Sequence, residues 1–191
     1  MQTYRDAYLD YLRVEKGLAK NSVLAYAQDL DKYFNSLEQK KITHPDKITR
    51  PDITDFLFGL RQNMSVTSIA RILSTIRGFH SFLVREKIVS SNPVDLIDAP
   101  KLDKKIPEFL NEDEVARLLK ESRDRTPQGM RDRAIVELLY ACGLRVSELA
   151  SLSLESLFLE SGFLKCKGKG SKERIVPIGK DALSYLEKYL L

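Results

Sequence analysis

Through the first half of the chain, apolar residues return every three or four positions, the spacing that gathers them on one side of an α-helix. Four helices are expected. The first runs from about Thr3 to Lys16, with Tyr4, Tyr8, Tyr11 and Leu12 on one side and Gly17 as its stop. The second, opened by Asn21 or Ser22, turns Val23, Tyr26, Ala27, Leu30, Tyr33, Phe34 and Leu37 inward. A third begins near Thr49 to Pro51 and buries Ile53, Phe56, Leu57 and Leu60. The fourth, capped by Ser65, buries Ile69, Ile72, Leu73, Ile76, His80 and Leu83. Its remaining face is small, polar and cationic: Ser68, Arg71, Thr75, Gly78 and Arg85. Such a face suits close approach to phosphates, and it equally describes an ordinary solvated surface.

Between Ala99 and Pro107 the period lapses into two prolines and three lysines, which reads as an extended linker. Nine such residues reach roughly 30 Å at full stretch. Residues 1–98 therefore form one helical domain and 108–191 the start of a second. That second unit opens on Asn111-Glu-Asp-Glu114, an asparagine cap with a glutamate three residues on, followed by Val115, Leu118 and Leu119 as a buried stripe. A longer helix from about Met130 to Cys142 turns Ala134, Ile135, Leu138, Leu139 and Cys142 inward, and Gly143 ends it. Ser147 and Glu148 open a short helix through Leu152.

From Phe158 onward the alternation becomes that of strands. Phe163–Lys167 and Glu173–Ile178 flank the glycine-rich connection Gly168-Lys-Gly-Ser171, and a last helix from Asp181 to Leu191 carries Leu183, Leu186 and Leu190. An apolar helix at the end suggests a packing partner outside this sequence. The fold class is mainly α with a small β-hairpin or sheet.

The 191 residues carry a net charge of +4, unevenly placed. Between Ser161 and Lys180 six basic residues (Lys165, Lys167, Lys169, Lys172, Arg174, Lys180) face one acid, Glu173, a balance that favours a polyanionic partner. Cys142 and Cys166 have neither the spacing of a disulfide framework nor histidines beside them for zinc. No run is long and apolar enough to span a bilayer, and no signal pattern opens the chain, so a reducing cytoplasm is the expected compartment.

Two cations carry the candidate chemistry. Arg145 lies just past the helix stop in Ala141-Cys-Gly-Leu-Arg-Val-Ser-Glu-Leu149, and Lys169 sits at the hairpin tip in Lys167-Gly-Lys-Gly-Ser-Lys-Glu-Arg-Ile-Val-Pro177. A guanidinium meets two phosphate oxygens at once, and an ammonium with a lowered pKa can protonate a leaving oxygen. A lysine between two glycines is, on spacing alone, also simply a solvated turn residue. Glu148, three residues beyond Arg145, either bonds that arginine or favours the helix start as a first-turn carboxylate.

These two segments, with Gly17-Leu-Ala-Lys-Asn-Ser22, Ala25-Tyr-Ala-Gln-Asp-Leu30, Ser91-Asn-Pro93 and Pro100-Lys-Leu102, resemble the tyrosine site-specific recombinases, the phage integrase family, and closely the Xer type. The resemblance implies a four-helix, SAM-like DNA-binding domain followed by the first part of an α+β catalytic domain. It implies a C-shaped clamp on double-stranded DNA at an inverted-repeat site, two protomers per site and four per synapse, paired with itself or a paralogue. A role in chromosome or plasmid dimer resolution follows from it, with a cell-division DNA translocase as a possible activator.

By matching position, Arg145 is the family's first catalytic arginine and Lys169 its hairpin lysine. Asn21, Ser22, Arg71, Thr75, Arg77, Lys167, Lys172 and Arg174 are the expected DNA contacts. The tyrosyl link conserves bond energy, so no metal and no nucleotide cofactor is expected. The sequence contains no His-x-x-Arg box and no tyrosine in the family's nucleophile context; His44 and His80 are its only histidines. This polypeptide is therefore expected to bind DNA without cleaving it, and the rival reading is an accessory DNA-binding protein derived from a recombinase. A winged helical transcription regulator is the third possibility.

Overall fold

The computed structural model describes residues 1–101, 107–121, 126–168 and 172–191. They fall into two compact units, Met1–Lys105 and Ile106–Leu191. Positions 102–106 of the expected linker lie outside the described residues.

In the first unit four helices surround one core: α1 Gln2–Val14, α2 Lys20–Gln39, α3 Arg50–Leu60 and α4 Val66–Arg85. Sequence chemistry fixes most of their starts. Thr49 caps α3 through Asp52, whose Oδ2 accepts the Thr49 N–H at 3.0 Å, and Ser65 caps α4 by accepting from the Ser68 N–H at 3.3 Å. α2 departs from expectation. It begins at Lys20 after Ala19 in an extended conformation, so Asn21 and Ser22 stand in its first turn rather than capping it.

Leu30, Tyr33, Ile53, Ile72, Ile76, Phe79 and Leu83 are completely or almost completely buried between these helices, while Leu60 is half-buried. Fully burying an aliphatic or aromatic side chain contributes about 1.5–3 kcal/mol. Aromatic edges interlock around Tyr8, whose ring lies 5.7 Å from Phe79 and 5.4 Å from Phe82. Gly78 makes this possible: a Cβ there would strike the Tyr8 hydroxyl. Gly78, expected on the outward face of α4, thus serves packing against α1.

Tyr33 and His80 form a buried polar pair in this core. His80 is fully buried and its Nε2 lies 3.0 Å from the Tyr33 hydroxyl, while Nδ1 has no partner among the described residues. Burial lowers the imidazole pKa from 6.5 to about 4. The unfolded chain then binds the extra proton between those values, so stability is fully present above about pH 6.5 and lost as pH falls towards 4. Urea unfolding is expected to give a stability on the order of 2 kcal/mol lower at pH 4.5 than at neutral pH from this group alone. His80→Gln should lose that part of the pH slope; an unchanged slope refutes the assignment.

The second unit contains α5 Glu112–Glu121, α6 Pro127–Cys142, α7 Val146–Ala150, α8 Lys180–Leu190 and an antiparallel sheet. Its strands are β1 Leu157–Phe158, β2 Phe163–Lys167 and β3 Glu173–Pro177, in the order β1-β2-β3. In the central pairing Leu164 faces Val176 and Cys166 faces Arg174. The capping box at Asn111 and Glu114 forms in both directions, at 2.8 and 2.9 Å. The stripe behind it is not buried as expected: Leu118 is exposed, and Val115 and Leu119 are half-buried. α5 packs against α6, and its apolar side stays partly open.

α6 starts one turn earlier than the apolar period indicates, because Thr126 caps it and Pro127 fits its first position. It packs against α8, with Leu138, Cys142, Leu164, Ala182 and Leu186 in the core. Glu137 is buried as well, held by Arg133 one turn back at 2.7 Å. Arg133 also stacks over the Tyr185 ring at 4.4 Å, which places Tyr185 in the packing of α8.

Candidate functional site

α6 stops at Gly143, whose φ of +58° is the left-handed conformation that glycine adopts without strain. Leu144 is buried beside it and anchors the turn. Arg145 follows as the extended residue ahead of α7, with its side chain 70% exposed. Its position is therefore set by buried neighbours on the α6 side, while its guanidinium faces solvent.

Glu148 organises what surrounds it. Its side chain is 4% exposed and takes four hydrogen bonds. Oε2 accepts the Arg145 backbone N–H at 2.8 Å and Arg174 Nη2 at 2.9 Å. Oε1 accepts Arg145 Nη1 at 2.9 Å and Arg174 Nη1 at 2.8 Å. Both roles left open by the sequence are thus filled at once: the carboxylate secures the start of α7 and grips the arginine. The Arg174 fork, the Arg145 backbone N–H and the Arg145 guanidinium hold the Glu148 carboxyl well below the usual carboxylate range, and the same pairing raises Arg174 further.

The hairpin meets this cluster at its base. Arg174 lies on β3, and beyond the last paired residues the Gly168 N–H donates to Lys172 O at 2.8 Å. A Cβ on Gly168 would lie 3.2 Å from Arg174 Nη1 and 3.5 Å from Glu148 Oε1. Glycine is what lets the strand pass so close to the ion pair. Lys169, the next residue, lies outside the described residues, as do Gly170 and Ser171. Lys167 and Lys172 are exposed on the hairpin stem, and Lys165 stands 5.1 Å from the Phe158 ring. Arg174, expected as a phosphate contact, spends both terminal nitrogens on Glu148, although 39% of its side chain remains exposed.

The candidate contacts of the first unit divide similarly. Asn21 is exposed and Ser22 half-buried on the first turn of α2. Arg71 is half-exposed on α4 and pairs with Asp29 of α2. Thr75 is the clearest departure: expected outward, it is 1% exposed, and its hydroxyl bonds Asp29 Oδ2 at 3.0 Å. It lies one turn from Arg71 on the side of α4 that faces α2, so it is closed to a DNA backbone. Arg77 donates to Ile97 O at 2.7 Å and ties the end of the unit onto α4. Arg85 lies over the Tyr11 ring at 3.9 Å.

Sequence reasoning missed two organising acids, Glu148 as a hub and Asp29 altogether. The available signal for Asp29 was a charge on the inward face of α2, one residue from Leu30 and four from Tyr33. Among the described residues no cluster of metal-ligating side chains occurs, and no helix is long and apolar enough to cross a membrane.

Residues 6–87 match the phage integrase N-terminal SAM-like domain, and residues 108–191 match the phage integrase family. The chain belongs to the phage integrase family of tyrosine recombinases. Among curated phage integrase relatives it is 48% identical over 185 residues to the tyrosine recombinase XerD of Oceanobacillus iheyensis, covering 96% of this chain and 62% of the relative. The chain thus spans less than two thirds of the length of that relative.

The family fold is also found in solved structures. A lambda integrase (75–356) dimer bound to a COC' core site superposes with a TM-score of 0.74 at 21% identity, over 98% of this chain and 67% of that one. A lambda integrase tetramer bound to a Holliday junction gives 0.72 at 20% identity, over 98% and 54%. The resemblance read from the sequence, with its mainly helical fold and small sheet, is met.

Proposed function

We propose that this chain carries the DNA-binding domain and the first part of the catalytic domain of an Xer-type site-specific recombinase, acting on an inverted-repeat duplex in the cytoplasm. The observation that carries the reading is the Glu148 cluster. It fixes Arg145, exposed and permanently charged, beside the base of the hairpin that bears Lys169. In this scheme the tyrosine oxygen of the family's nucleophile attacks the scissile phosphorus, and the bond to the 5′ oxygen breaks. Arg145 stabilises the charge that develops on the non-bridging oxygens, and Lys169 delivers a proton to the departing 5′ oxygen. The covalent 3′-phosphotyrosyl link keeps the energy needed for rejoining, so neither metal nor nucleotide takes part.

Lys167, Lys172, Asn21, Ser22 and Arg71 are proposed to contact the DNA backbone, with Arg77 and Arg174 in supporting positions. The lambda integrase complexes with DNA, including a tetramer on a junction, support assembly of two protomers on one site and four in a synapse. Dimer resolution during chromosome partition and cell division, with a DNA translocase as activator, is proposed from the Xer relationship.

Gel-shift with a duplex carrying an Xer-type site is expected to show binding by the 191-residue polypeptide, with no covalent adduct on a denaturing gel. A chimera in which residues 1–191 replace the matched segment of the Oceanobacillus iheyensis relative should form the adduct in the presence of a chelator. If the polypeptide binds but the chimera forms none, the accessory-protein reading takes the place of the enzymatic one. If neither binds, DNA recognition itself is refuted.

A further inference from the structure

We propose that Asp29 is a positioning residue for DNA binding: from within the α2–α4 contact it aims the half-exposed Arg71 at the phosphate backbone, with Thr75 fixing the carboxylate. The inference rests on the DNA-binding reading above and deepens it. Asp29 is 1% exposed, and all its hydrogen bonding is concentrated on one oxygen. Oδ2 takes both Arg71 Nη1 and the Thr75 hydroxyl, while Oδ1 has no partner among the described residues. The Thr75 hydroxyl, with its one proton, also lies 3.2 Å from Arg71 O, so the three groups form one closed unit across two helices.

A buried carboxylate with an unpaired oxygen is poor economy for a fold alone, since an apolar side chain of similar size serves the same contact at least as well. What the acid adds is direction. Arg71 commits one nitrogen to Asp29, and among the described residues it bonds to no other acceptor. With 49% of the side chain exposed, the rest of the guanidinium is held in one orientation towards solvent. A long side chain anchored in this way loses less rotamer freedom on meeting a phosphate, so its contact is stronger.

Charge and orientation predict opposite signs, which makes the idea testable. Asp29→Asn keeps the size of the side chain and removes one negative charge from the protein. If Asp29 merely neutralises Arg71, the variant should bind DNA more tightly. Positioning predicts weaker binding. The probe is a fluorescein-labelled duplex of about 30 base pairs, titrated with the 191-residue polypeptide between about 50 and 200 mM salt and read by anisotropy.

Arg71→Ala is expected to reduce the slope of log K against log salt by about one, the loss of a single phosphate contact. Asp29→Asn should reduce it nearly as much and weaken binding about five- to tenfold at fixed salt, and the double variant should match Arg71→Ala alone. Thr75→Val, which keeps the shape and loses the hydroxyl, provides a second route should Asp29→Asn not fold. It is expected to weaken binding about twofold to threefold, and not at all when Arg71 is already alanine. Tighter binding by Asp29→Asn, an unchanged slope, or losses that add to those of Arg71→Ala would overturn the proposal. Wild-type polypeptide that fails to bind the duplex would instead remove the reading beneath it.

Discussion

Arg145→Ala in the chimera is expected to lower the rate of phosphotyrosyl adduct formation about 100- to 1000-fold while changing DNA affinity by less than about threefold. The asymmetry follows from where the charge is needed. A phosphodiester in the ground state already has counterions and many cationic neighbours along the hairpin, so one arginine adds little to binding. In the transition state, added negative charge appears on particular oxygens, and a fixed guanidinium meets it without reorganising. Arg145→Lys should recover only part of the rate, because an ammonium cannot reproduce the planar fork that meets Glu148 and a phosphate together. Quantifying adduct in single-turnover time courses, alongside gel-shift, checks both halves. Equal losses of rate and affinity would make Arg145 a binding residue only.

Glu148→Gln is expected to slow adduct formation on the order of 100-fold and to lower the thermal midpoint, with DNA affinity kept or slightly raised. The amide retains one oxygen and replaces the other by a donor, which then faces the N–H groups of Arg174 and Arg145. One arginine must turn away. Arg145 is then free to leave the geometry set by the α6 turn, and the strand bearing Arg174 loses its tie to α7. Hydrogen exchange at the Gly168 amide, which donates to Lys172 O in the native hairpin, should accelerate in the variant. Unaltered exchange with unaltered rate would show that the carboxylate supports neither element.

Elements with local chemical punctuation were legible from the sequence. Thr49, Ser65 and Asn111 start helices because each closes a hydrogen bond within a few residues, and Gly143 ends one because it takes the left-handed conformation. Arg145 was legible as a candidate from its place two residues past that stop. What escaped depends on partners distant along the chain. Thr75 looks like a surface threonine until Asp29, 46 positions earlier, is seen to take its hydroxyl. Arg174 looks like a phosphate contact until Glu148, 26 positions earlier, takes its fork. Amphipathic spacing gave α5 an inner face, but spacing cannot say how much of it a neighbour covers, and Leu118 remains exposed.

The saturation of Glu148 constrains the proton inventory of any reaction at this site. Four donors occupy its oxygens and hold it ionised far into acid, so it has neither a proton to give nor a free lone pair with which to take one. A titration seen in the rate anywhere between mildly acidic and alkaline conditions must then belong to some other side chain.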